Sequence, residues 1–112
     1  MSVASWIEVG RVDEVPPGHA ARVEVGDVPL AIFNVDGTFY CLDDTCSHAE
    51  ASLSDGDLDT SRCLIECPLH GSAFDLRSGE PRSLPAVEAV RVHRVEASDG
   101  VIRIALNSEA PG

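Results

Sequence analysis

Aromatic residues make up only 4% of this 112-residue chain, so a core must be built from Val, Ile, Leu and Ala. Basic residues are also scarce: eight face nineteen acids, for a formal net charge of −11. That balance repels nucleic acid and anionic membranes and argues against both as partners, while favouring a partner with a basic face. No apolar run approaches the length of a membrane span. The first residues, Met1 to Trp6, carry neither a basic leader nor an apolar signal core, which predicts a cytoplasmic protein. The pattern contains no repeat, no linker and no long amphipathic helix. The length predicts one domain, 1–112, with room for a core but little for a separate substrate pocket.

What is present reads as strands. Trp6, Ile7 and Val9 predict an edge strand anchored in the core, and Pro16-Pro17-Gly18 a turn. Ala21, Val23 and Val25 alternate with Arg22 and Glu24, the period of a half-buried strand. Leu30 to Val35 is a continuous apolar run, hence a strand covered on both sides. Asp36-Gly37 is a tight hairpin signal that returns the chain through Thr38-Phe39-Tyr40. From Leu42 to Leu84 turn formers and acids crowd between short apolar pieces, Leu64–Glu66 and Ser72–Leu76. At most a short helix fits within Ala49 to Leu58. Beyond Val87, Val90 and Val92 alternate with Arg91 and His93. After Ser98-Asp99-Gly100, Ile102, Ile104 and Leu106 alternate in turn. The expectation is an all-β chain with a small subdomain, approximately 42–84, inserted into a larger β framework. The tail 107–112 is expected to fray.

The chemistry concentrates between Cys46 and His70. Cys46-Ser47-His48 is followed by eighteen residues and then Cys67-Pro68-Leu69-His70. Thiolates and imidazoles that converge desolvate at high cost unless a cation sits between them. Two Cys and two His suit either one tetrahedral zinc or a mixed-ligand two-iron, two-sulfide cluster. Zinc sites most often space close ligands as Cys-x2-4-Cys or His-x3-5-His. Here each close pair is one Cys plus one His, twice over, which suits two unlike irons: Cys46 and Cys67 on one, His48 and His70 on the other. Cys41 and Cys63 are expected to be buried, reduced thiols. His19 and His93, outside the motif, are expected to be solvated.

The pattern Cys-x-His…Cys-x2-His followed by Gly71-Ser72 resembles that of the Rieske iron–sulfur proteins, and the resemblance covers nearly the whole chain. It implies a Rieske-like antiparallel β-sandwich, a [2Fe-2S] cluster, and both histidines at an exposed tip. High-potential members carry a disulfide between the cluster loops; its cysteines would fall at Ala51 and Leu69, so it cannot form here. They also carry a Tyr that donates to a ligand sulfur, where this chain has Phe74. Ser72 keeps the hydroxyl that the family aims at a bridging sulfide. Leu84-Pro85-Ala86 resembles the family's third, shielding loop. The expected potential lies low in the range of roughly −150 to +300 mV.

Short chains of this kind are similar to the Rieske-type ferredoxins of bacterial ring-hydroxylating dioxygenase systems. That similarity implies a one-electron carrier rather than an enzyme, lying between an NADH-dependent flavoprotein ferredoxin reductase and a terminal Rieske non-haem iron oxygenase. Asp43, Asp44, Glu50, Asp55, Asp57 and Asp59 would steer basic partners toward the ligands. Transient transfer partners favour a monomer. The alternatives are the small subunit of an NADH-dependent nitrite reductase, which shares the fold, and a zinc-stapled binding module.

Overall fold

The computed structural model describes residues 6–46, 51–69, 71–82 and 88–106. Among them are nine strands, two short 3-10 turns and no α-helix. The strands are β1 (Ile7–Arg11), β2 (Ala20–Val25), β3 (Val28–Val35), β4 (Thr38–Asp43), β5 (Asp57–Asp59), β6 (Leu64–Glu66), β7 (Ala73–Asp75), β8 (Val92–Ser98) and β9 (Val101–Ala105). Six form one antiparallel sheet in the order β1-β9-β8-β4-β3-β2; the other three form a small sheet, β5-β6-β7. The all-β expectation holds. No helix of the described residues is long and apolar enough to cross a membrane.

The apolar run in β3 organises both cores. Residues 30–34 are all buried, and because successive side chains point to opposite faces they feed two clusters. Leu30 and Ile32 pack with Cys41, Ile102, Ile104 and Val15. Ala31 and Phe33 pack on the other face with Leu42, Leu53, Ile65, Phe74, Leu76 and two further cysteines, Cys46 and Cys67. The second cluster joins the small sheet to the framework. Burying one such large side chain contributes roughly 1.5–3 kcal/mol. The two edge strands, β1 and β2, come near one another, and a cavity of about 200 Å³ remains where Val9, Val15, Ala21, Val23, Ile32 and Ile102 meet.

Turn chemistry fixes the register. Asp36 and Gly37 both have positive φ, 51° and 93°, between paired Val35 and Thr38. That is the type I′ geometry whose twist suits a two-residue hairpin. Asp99-Gly100 does the same between Ser98 and Val101. Gly56 serves another purpose: a Cβ there would lie 1.9 Å from the Glu66 carbonyl oxygen, so only glycine lets the turn lie against β6.

Two expectations need correction. Trp6 and Ile7 are 42% and 39% exposed rather than buried, and Leu106 is 40% exposed. β1 is an edge strand with an irregular register between Glu8 and Gly10; this breaks its alternation, so Val9 reaches the core and its neighbours do not. The segment that fits at most a short helix holds, as expected, a three-residue 3-10 helix, Leu53–Asp55, followed by β5. His93 is 3% exposed, not solvated. Its Nε2 lies 2.6 Å from Asp43 Oδ1, and Arg91 Nε donates to the same carboxylate at 2.9 Å. The paired register of β4 with β8 is short, Cys41 with His93 and Leu42 with Val92, and this polar knot reinforces it. His19 is exposed, as expected. The tail 107–112 lies outside the described residues.

Candidate metal centre

Two hairpin loops present the two cysteines. The first leaves β4 through Asp44, and Thr45 bridges to Ser52. The Cys46 N–H then donates to the Ala51 carbonyl at 3.0 Å. The second leaves β6, where Glu66 pairs with Ala73, and the Cys67 N–H donates to the Ser72 carbonyl at 2.7 Å. Each loop is thus closed in the same way, by its cysteine's amide to the carbonyl five residues on. Gly71, at φ 70°, lets the second loop turn back.

Both cysteines are buried, Cys46 at 4% and Cys67 at 2% exposure, and neither is in a disulfide. The thiol of Cys67 is pushed up, first by burial and also by the neighbouring Cys46 sulfur, while the Leu69 N–H aimed at it works the other way. Two sulfurs meet in an apolar cluster with an amide directed at one of them. That donor chemistry fits a soft or borderline metal bound by thiolates. His48 and His70 lie outside the described residues, as do Glu50 and Pro85, so their roles rest on sequence spacing and resemblance.

The other cysteines stand apart from this pair. Cys41 belongs to the opposite core, and burial first, then Asp43, raises its pKa to about 12. Cys63 departs from expectation: it is only half-buried, with left-handed backbone at φ 58°. Its side chain hydrogen-bonds that of Tyr40, and its carbonyl accepts the Leu76 N–H at 3.0 Å.

Phe74 is fully buried in the cluster that contains Cys46 and Cys67. Phe74→Tyr therefore places a hydroxyl in the right core. One hydrogen bond to a charged group is worth about 1.5–3 kcal/mol. If all of it favours the reduced state, the potential rises by roughly 60–130 mV. Protein-film voltammetry reads this directly; a zero or negative shift in a folded variant would mean that the ring does not face a ligand sulfur.

Sequence reasoning missed Asp75, a buried carboxylate just after Phe74. Its oxygens accept from the Arg77 and Ser78 amides, from Arg77 Nε and Nη2, and from Arg82 Nη2. Burial works to raise its pKa, but the bonds from Arg77 and Arg82 outweigh it and hold the group at about 2. The signal available was the Asp at the head of a Ser-Gly turn, where a carboxylate caps the amides that follow. An unfolded Asp titrates near 3.9. The stabilisation is therefore present above about pH 4 and lost as pH falls through about 2, contributing roughly 2–3 kcal/mol at neutral pH. Asp75→Asn should cost about that much in denaturant unfolding at pH 7 and flatten the loss of stability between about pH 4 and pH 2. An unchanged slope would remove Asp75 as its source.

The six acids expected to steer partners do not act alike. Asp44 is buried at 1% exposure, and Asp43 is engaged with Arg91 and His93. Asp59 is held down at about 2 by hydrogen bonds from Ser61 and Arg62. Asp55 and Asp57 are exposed, and Asp57 stands directly across from Glu66. Two carboxylates opposite one another on adjacent strands repel.

Comparison with known proteins agrees with this geometry. Residues 5–94 match the family model of the Rieske [2Fe-2S] domain. The chain is 42% identical over 101 residues to ferredoxin CarAc of Metapseudomonas resinovorans, covering 89% of this chain and 92% of that one. It is 40% identical over 105 residues to a 3-phenylpropionate/cinnamic acid dioxygenase ferredoxin subunit of Photorhabdus laumondii, covering 94% and 98%. Among solved structures, the ferredoxin of carbazole 1,9a-dioxygenase from Nocardioides aromaticivorans has a TM-score of 0.88 at 32% identity, covering 93% and 100%. A complex of reduced oxygenase and oxidized ferredoxin in carbazole 1,9a-dioxygenase gives 0.82 at 42% identity, covering 89% and 92%. A nitrite reductase small subunit from Mycobacterium tuberculosis, at 23% identity and a TM-score of 0.83, covers 96% and 100% and shares the fold.

Proposed function

Because the chain belongs to the Rieske [2Fe-2S] domain family, we propose that it is the ferredoxin component of an aromatic ring-hydroxylating dioxygenase system, a one-electron carrier and not itself the enzyme. It takes electrons from an NADH-dependent flavoprotein ferredoxin reductase and passes them to a Rieske non-haem iron oxygenase. It works as a monomer in the cytoplasm, and residues approximately 42–84 form its cluster-binding subdomain within the single domain 1–112. The observation that carries this reading is the pair of buried, unbridged thiols brought together by two alike loops. The relatives named as dioxygenase ferredoxins, at 40–42% identity, support it over the nitrite reductase alternative, which is similar only in fold.

Cys46 and Cys67 would hold one iron of such a cluster, and His48 and His70 the other. When bound, a Rieske cluster supplies a one-electron donor and acceptor at roughly −150 to +300 mV. The rest of the work falls to the chain. Phe74, Ile65 and Leu53, all fully buried, keep water from the two sulfurs. The Leu69 N–H favours the thiolate form of Cys67. The Leu69 side chain, 47% exposed, offers an apolar contact to a partner. Electron transfer needs close approach rather than a substrate pocket, and such encounters use small, transient interfaces.

Reconstitution tests the role. With NADH, the flavoprotein reductase and the oxygenase present, oxygenase reduction should rise in proportion to added holo-protein. A rate that ignores the added protein would rule out the carrier role.

A further inference from the structure

Asp44 reads in the sequence as one more surface acid, yet its side chain is 2% exposed and ties three elements together. Arg22 Nε, on β2, donates to Oδ2 at 3.1 Å. The Ser54 amide, in the 3-10 turn, donates to Oδ1 at 3.0 Å. On the main chain, the Asp44 N–H donates to the Pro29 carbonyl of β3 at 3.0 Å, and the Asp44 carbonyl accepts the Leu53 N–H at 2.7 Å. Above this base come the Thr45–Ser52 bridge and the Cys46 N–H to Ala51 bond. The Cys46 hairpin therefore stands on Asp44 as on a footing.

Shape alone does not require a carboxylate here. An Asn oxygen would accept the Ser54 amide equally well and would hold the turn. What the carboxylate adds is charge, and it is matched unevenly. The Arg22 side chain is 48% exposed and also reaches Glu24 at 3.6 Å, so water and salt screen it. The carboxylate is shielded from both. A shielded carboxylate whose counter-ion is screened would oppose added negative charge on a centre held by Cys46, two residues further along.

We propose that Asp44 is a positioning residue for Cys46 whose charge, offset by Arg22, sets the redox potential of the centre. The proposal rests on Cys46 being a ligand. Its consequence is a sign. Neutralising the carboxylate must raise the potential, whereas neutralising Arg22 must lower it. A merely structural ion pair predicts otherwise: either substitution loosens the same bond, and both should move the potential the same way.

The test measures midpoint potential and EPR line shape on holo-protein carrying Asp44→Asn, Arg22→Gln or Arg22→Lys. Asp44→Asn should shift the potential upward and keep the Cys46 amide protected from hydrogen exchange. Arg22→Gln should shift it downward. Arg22→Lys, which keeps the charge, should stay close to the parent protein. Shifts of the same sign, or none, would overturn the proposal. Should Asp44→Asn fail to assemble a cluster, the two Arg22 variants decide alone, since Arg22 lies on an exposed face. Failure here is distinguishable from failure of the ligand assignment: the latter appears as a cluster retained in Cys46→Ser, the former as unmoved potentials in proteins of intact spectrum.

Discussion

Cys46→Ser and Cys67→Ser proteins will be purified without the visible chromophore of a [2Fe-2S] cluster, whereas Cys41→Ser and Cys63→Ser proteins will keep it. The asymmetry follows from where the sheet places each thiol. Cys46 and Cys67 share one apolar cluster and sense each other electrostatically. Serine offers a hard oxygen where a thiolate is needed, and its proton is far harder to remove. Cys41 lies on the other side of β4, among Leu30, Ile32 and Ile104, with a pKa of about 12 that keeps it a neutral thiol. Cys63 contacts Tyr40 at the margin of the site, and serine preserves a polar group there. The expected effect is all or none in iron content per chain. A full spectrum from Cys67→Ser would contradict the ligand assignment. Loss of the cluster from Cys63→Ser would show that the Tyr40 contact holds the small sheet in place.

Association with a basic partner will slow by about tenfold or more as salt rises from about 20 to 500 mM. The chain carries −11, and exposed charges are screened over about 8–10 Å at ordinary ionic strength. The acids that deliver the effect are fewer than the sequence implies. Asp44 is internal and Asp59 caps its own turn through the Ser61 and Arg62 amides, so neither can be removed without local cost. Asp55 and Asp57 are the suitable pair. Asp55→Asn/Asp57→Asn should reduce the low-salt association rate several-fold, converge with the parent at high salt, and leave the potential nearly unchanged. It should not destabilise the fold, because Asp57 already faces Glu66 and losing one of two opposed carboxylates relieves repulsion. Stopped-flow rates that are flat with salt would assign docking to apolar contacts such as the exposed Leu69, and leave the acids to solubility.

Much of this was legible locally. Asp36-Gly37 and Asp99-Gly100 make the hairpins that their dipeptides announce, because positive φ at both positions is a local requirement. The β3 run reads as doubly covered and is. Leu64–Glu66 is a strand with the bounds its apolar pattern gives. The Cys/His spacing alone points to the family whose model matches residues 5–94. What could not be read depends on pairings distant in sequence. His93 alternates with valines as a solvent-facing residue would, but its partner Asp43 is 50 positions away and is brought beside it by the pairing of β4 with β8. Asp44 looks like its exposed neighbours until Arg22 arrives from β2, 22 positions earlier. Ile7 and Val9 look like one buried face because alternation assumes a regular strand, and the irregular register of β1 between Glu8 and Gly10 breaks it. β5 is three residues, two of them acids, too short and polar to carry a period; it exists because β6 offers it an edge.

The most direct measurement is the iron, zinc and acid-labile sulfide content of the purified protein, with EPR of the dithionite-reduced form. A Rieske [2Fe-2S] centre, the family's cofactor, requires two irons and two sulfides per chain. Its reduced form should give a rhombic signal of low average g from mixed nitrogen and sulfur ligation. Stoichiometric zinc without sulfide, or a cluster with the EPR of four-thiolate ligation, would contradict the account.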